Sequence, residues 1–107
     1  MNGYKQAYTL DYNNVVIVEL DIPDDAKVIH TKTYGLAKDL YRCDRARVVA
    51  ITSFDGRHRV SEAISMKDGR FRYRVGEMAY AQKNESIGKR PGIYFFRTRQ
   101  KAIDYEY

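Results

Sequence analysis

Three arginines alternate with three apolar residues in Arg70-Phe71-Arg72-Tyr73-Arg74-Val75, the stretch of this 107-residue chain whose residue types and spacing point most directly to chemistry. On an extended backbone successive side chains point to opposite faces, so Phe71, Tyr73 and Val75 share one surface and Arg70, Arg72 and Arg74 the other. A row of guanidiniums repels itself unless water or an anion covers it, and each guanidinium fork matches phosphate or carboxylate geometry. Arg97 and Arg99 add cations further along, and Tyr94 offers an aromatic face. The chemistry expected is the clamping of an anion by Arg70, Arg72, Arg74, Arg97 and Arg99, with Tyr94 stacking on a base. The plain alternative is that these cations solvate an exposed sheet face.

Other chemistries find little support. One cysteine, Cys43, and two histidines, His30 and His58, lie far apart in sequence and do not make a zinc site. A free cysteine is more often buried than reactive, and no adjacent base activates Cys43. Gly-rich phosphate loops, nucleophile elbows and paired-carboxylate motifs are missing. We therefore expect no catalytic residue, no metal and no cofactor.

Charge is unevenly distributed. Residues 67–101 hold ten Lys/Arg against three Asp/Glu, whereas residues 1–66 hold nine of each, and the whole chain carries +5. The C-terminal third is where an anionic partner would dock: a nucleotide, a nucleic acid or an acidic protein. Ten tyrosines supply stiff amphipathic contact area suited to such a surface or to a homo-oligomer interface. No apolar run is long enough to span a bilayer. The start, Met-Asn-Gly-Tyr-Lys, lacks a signal-peptide pattern, and a single cysteine forms no internal disulfide; both favour the cytoplasm.

The elements that position the arginines follow from pattern. Residues 4–12, with tyrosines at 4, 8 and 12, suit either a helix or a short edge strand. Val15–Leu20 is continuously apolar and β-branched, a central strand. Pro23-Asp24-Asp25 suits the first turn of a short helix, Thr33 a cap for a helix over 34–41, and Arg45–Phe54 a strand. Asp55-Gly56 predicts a tight hairpin pairing Ile51 with Val60, Val49 with Glu62, Thr52 with Arg59 and Ala50 with Ser61. A second turn at Lys67-Asp68-Gly69 delivers the arginine strand, which Gly76 breaks. Residues 82–91 read as a mobile basic loop, Gly92–Phe96 as a strand, and Thr98 as the cap of a terminal helix over 99–105. The sum is a single α+β domain: a mainly antiparallel sheet of five to six strands with two short helices packed on one face.

Four features in this order carry a resemblance: Ile22, Pro23 and Ala26; Cys43, Arg45, Ala46 and Val48; Val75, Gly76 and Glu77; and Gly92, Ile93, Phe95 and Phe96 followed by Ala102 and Tyr105. Over residues 15–105 the chain resembles an uncharacterised small domain of bacteriophages and large DNA viruses, often found C-terminal to pentapeptide repeats. That resemblance implies a viral source. It points to a non-enzymatic binding protein that counteracts a host defence system by capturing a nucleotide-type anion or docking on a host protein in the host cytoplasm. A nucleic-acid-binding accessory protein is the alternative. The strand and helix around Tyr94, Ala102 and Tyr105 also look like those of ADP-ribosyltransferases, which would give Tyr94 the role of stacking on nicotinamide in an NAD-binding relative.

Overall fold

The computed structural model describes residues 1–31, 39–67, 69–81 and 92–105. Among these residues lie nine strands and one helix: β1 (Asn2–Tyr8), β2 (Val15–Asp21), β3 (Val28–His30), β4 (Leu40–Cys43), β5 (Arg45–Thr52), β6 (Glu62–Ser65), β7 (Arg72–Arg74), β8 (Met78–Tyr80), β9 (Ile93–Phe96) and α1 (Arg99–Asp104). They form one antiparallel sheet in the order β3-β4-β9-β1-β2-β5-β8, with β6 pairing β1 and β7 pairing β6. The architecture is thus mostly β with one short C-terminal helix, not α+β with two.

The first strand is the centre of the sheet. One edge of β1 pairs along its whole length with β2, from Asn2↔Asp21 to Tyr8↔Val15. The other edge is shared: Tyr4 pairs with Phe96 of β9, while Ala7 and Tyr8 pair with Ser65 and Ile64 of β6. Lys5 and Gln6 sit where those two neighbours part.

Alternation sorts the side chains into two layers. On the inner face Ala7, Val16, Val18, Leu20, Cys43, Ala46, Val48, Ile51, Ala63, Tyr73, Ile93 and Phe95 make the main core. On the outer face Ile17, Leu40, Phe96 and Ala102 form a second cluster beneath α1. Phe95 and Phe96, adjacent in β9 and both fully buried, feed one layer each, at about 1.5–3 kcal/mol per side chain. Gly3 faces inward with no room to spare: a Cβ there would lie 2.6 Å from Phe95 Cδ2. A bulge between Val48 and Ala50, opposite Glu19 and Leu20, shifts the alternation of β5 so that Val48 and Ile51 both reach the core.

Thr98 caps α1 by accepting from the Lys101 N–H at 3.3 Å, and Gln6 closes its far end. The Gln6 amide donates to the carbonyls of Ala102 (2.8 Å), Ile103 (3.2 Å) and Tyr105 (2.8 Å). Carbonyls that a helix end leaves without partners are thereby satisfied from the sheet.

Several expectations change. The helix over 34–41 is replaced at its end by β4, where Tyr41 pairs with both β3 and β9 and Leu40 with β9; the expected cap Thr33 and residues 34–38 lie outside the described residues, as does the basic loop over 82–91. Residues 2–8 form the central strand rather than a helix or an edge. Tyr4 and Tyr8 share a face because a separation of four is even as well as helical. After Pro23 the chain makes a single turn, Ala26 N–H donating to Pro23 O at 3.0 Å, not a helix. The hairpin keeps its expected register at the base, with Thr52↔Arg59 bridged and Val60 N–H bonded to Ile51 O. It then opens, because β2 and β8 take the two edges of β5 and β6 turns away to β1 and β7. Val49 and Glu62 therefore do not pair.

Candidate functional site

The arginine strand exists, but shorter than its sequence suggests. Only Arg72, Tyr73 and Arg74 are extended, Tyr73 buried and both arginines exposed. Arg70 lies in the preceding turn, and Val75 is exposed in the following one instead of joining Tyr73 in the core. Arg74 is directly opposite Glu62 in the ladder, and its Nε donates to Glu62 Oε1 at 2.6 Å. That carboxylate, with Glu77 nearby, holds the Arg74 guanidinium above even its ordinary pKa.

Other members of the expected clamp serve elsewhere. Arg99 donates to the carbonyls of Ser53 (2.7 Å) and Phe54 (3.3 Å), tying the start of α1 to the loop after β5. Tyr94 belongs partly to the cluster beneath α1, and the Lys67 ammonium lies 4.1 Å from its ring centroid. A base or nicotinamide stacked on that face of Tyr94 would have to displace Lys67. Arg97 is exposed between β9 and α1. The five arginines therefore spread over two arms of the sheet and do not converge on one point.

What the fold brings to Arg72 is tyrosine. Tyr8 is the cross-strand partner of Ile64, and Ile64 of Arg72, so the three share one row and one face across β1, β6 and β7. Ile64 is buried between them. The Tyr8 ring packs on Tyr12, with centroids 5.7 Å apart at an interplanar angle of 51°. Tyr12 is 56% exposed, and a Cβ on Gly69 would lie 3.2 Å from its hydroxyl, so the tip of the β1–β2 hairpin stands beside the turn that carries Arg70.

Tyr12 is held there against its backbone preference. Its φ is +62°, a left-handed conformation that bulky residues seldom adopt. The loop supports it: Tyr12 N–H donates to Thr9 O, and Thr9 N–H to Asn14 O, both at 2.9 Å. Asp11 accepts from the Thr9 hydroxyl (2.6 Å) and the Asn13 N–H (3.0 Å), and these bonds, Thr9 first, hold its carboxyl below its ordinary pKa. The Tyr8–Tyr12 pair was not among the expected site residues; the regular spacing of tyrosines 4, 8 and 12 was the available signal.

Among the described residues no group of His, Cys, Asp and Glu could hold a metal ion, and no helix is long and apolar enough to cross a membrane. A family model described as a family of unknown function (DUF5758) matches residues 1–102. No curated protein and no solved structure matches the chain.

Proposed function

We propose that this chain, which belongs to the family of unknown function DUF5758, is a non-enzymatic binding protein that docks a single-stranded nucleic acid on the Tyr8–Tyr12–Arg72 face. The observation that carries this reading is the row Tyr8, Ile64, Arg72 with Tyr12 packed on its tyrosine end. An exposed ring offers a stacking surface for any base, and a guanidinium two strands away, about 10 Å at the usual strand spacing, serves the backbone phosphate. The spread of the arginines supports an extended polymer over capture of one nucleotide, which needs cations converging in a concavity.

The surplus of positive charge after residue 67 supports the same reading through long-range attraction. The viral source and the counteraction of a host defence system come with the sequence resemblance, and in that setting the bound strand would be one a host system senses or cuts. An acidic host protein is the second reading, favoured by the same exposed cations.

Electrophoretic mobility at low salt with a labelled single strand of about 15 nucleotides, within the usual span of such sites, tests the proposal. A shifted band that excess unlabelled single strand removes, and duplex of the same sequence removes less well, is expected. An unshifted single strand would sink it, and recovery of one acidic protein from host lysate would move the second reading to the front. Native mass spectrometry of the same sample reports whether the chain assembles with itself.

A further inference from the structure

The loop that follows β5 carries a second group of basic side chains. Arg57, His58 and Arg59 stand in a row there, all exposed, and no carboxylate forms an ion pair with any of them among the described residues. Asp55, the loop's one acid, is engaged inside the turn: its carboxylate accepts from the Ser53 hydroxyl and from the Arg57 N–H at 3.0 Å. The exposed ring of Phe54 lies in the same loop.

Bonds within the loop fix its shape. Ser53 N–H donates to His58 O and Gly56 N–H to Ser53 O, both at 2.9 Å, His58 N–H donates to Ser53 Oγ at 3.1 Å, and Gly56 supplies the positive φ of the turn, +75°. The backbone that carries the two guanidiniums is thus ordered before any ligand arrives, which lowers the cost of binding. Side by side they repel each other until an anion neutralises them, and each fork matches a phosphate.

The strand register places this loop on the path of a nucleic-acid strand bound at Tyr8 and Arg72. β1 and β5 both run antiparallel to β2, so the loops after them, which carry Tyr12 and Arg57–Arg59, leave the same end of the sheet. Arg59 bridges Thr52, Thr52 pairs with Ile17, and Ile17 with Gln6; cross-strand partners share a face, and Gln6 shares one with Tyr8 two residues on. Arg59 therefore stands on the face that Tyr8, Ile64 and Arg72 form. Counted through β7, β6, β1, β2 and β5, Arg72 and Arg59 are five strand spacings apart, about 24 Å along the sheet. Tyr8 lies between them.

Resting on the single-strand reading above, we propose that Arg57, His58 and Arg59 form a second phosphate anchor for the same strand. The strand runs from Arg72 across Tyr8 and Tyr12 to this loop and meets Phe54 there as a further stacking ring. The ligand is then an oligonucleotide long enough to reach both anchors, its bases on the exposed rings and its phosphates on the cations at either end.

The test is fluorescence anisotropy at low salt with a labelled single strand of about 15 nucleotides, on wild type, Arg57→Ala/Arg59→Ala, Arg57→Lys/Arg59→Lys and Lys27→Ala, with thermal melts showing that each is folded. The alanine pair should bind at least about tenfold more weakly, with the slope of log affinity against log salt reduced by about 1.4, two phosphate contacts. The lysine pair should keep the wild-type slope. Lys27→Ala removes an exposed cation next to β3, on the other arm of the sheet, and should change affinity less than about twofold. An alanine pair that binds like wild type, while Arg72→Ala binds more weakly, overturns the second anchor and leaves the first face standing. Wild type that binds no single strand overturns both. Strand binding unchanged in the alanine pair, with wild-type sedimentation on anionic-lipid vesicles lost, assigns the loop to a membrane surface and likewise overturns the anchor.

Discussion

Arg74 and Glu62 face each other across the β6–β7 ladder, Nε to Oε1 at 2.6 Å, and this pairing removes one cation from the row that the sequence presents. Arg72, one position on the same face toward β1, has no acid opposite it; its cross-strand partner is Ile64. Arg74→Ala should therefore change single-strand affinity less than about twofold, while Arg72→Ala lowers it by about tenfold, the scale of one charge-assisted hydrogen bond. Glu62→Gln should raise affinity by releasing Arg74. Fluorescence anisotropy on the three variants checks the order.

Lys5 sets a pH dependence of stability whose sign is fixed. Its proton leaves the folded chain near pH 8 and an ordinary lysine only near 10.5. Below pH 8 both states hold the proton and the cost of burying the charge is fully present, about 3 kcal/mol for a shift of this size. From pH 8 to 10.5 the unfolded chain binds the extra proton, so stability rises with pH. Cys43, moved from 9 to about 11, works the opposite way above pH 9. Urea unfolding should show Lys5→Met more stable than wild type at pH 7, with the gap narrowing steadily from pH 8 toward 10.5.

The same burial makes Cys43 inert. With its thiol pushed up to about 11 and its Sγ against Ile93 O at 3.7 Å, almost no thiolate forms at pH 8. Iodoacetamide should leave the native chain unmodified for hours and label it within minutes in urea. Fast native labelling would contradict the buried placement.

Gln6 and Arg99 hold α1 from its two ends, through the carbonyls of 102, 103 and 105 and those of 53 and 54. Gln6→Leu leaves helix-end carbonyls without donors and should destabilise by about 1–3 kcal/mol. Arg99→Ala should cost about 1 kcal/mol and leave single-strand binding unchanged, as thermal melts and the anisotropy assay would show.

Local rules made part of this fold legible. Val15–Leu20 announced a core strand by β-branching, Gly92–Phe96 a strand by its apolar and aromatic run, and Thr98 its helix by capping. Gly56 and Gly76, at φ +75° and +89°, stand where turns were expected. What stayed hidden depended on distant pairings. Leu40 and Tyr41 follow a helical pattern, yet lie between β3 and β9, which approach from opposite ends of the chain. Lys5 reads as a surface lysine until its parity with Gly3 and Ala7, both inward and both small, is noticed. The arginine row was visible in outline, but Glu62 and Ser53, which occupy Arg74 and Arg99, are partners that spacing along one strand does not reveal.

The measurement that bears most directly on the account is the salt dependence of single-strand affinity for wild type, Arg72→Ala and Tyr12→Ala. The Tyr12–Arg72 face predicts that Arg72→Ala reduces the slope of log affinity against log salt by about 0.7, one phosphate contact, and that Tyr12→Ala weakens binding by about 1–3 kcal/mol with the slope unchanged. Slopes and affinities identical in all three proteins would place the binding surface elsewhere and contradict the account.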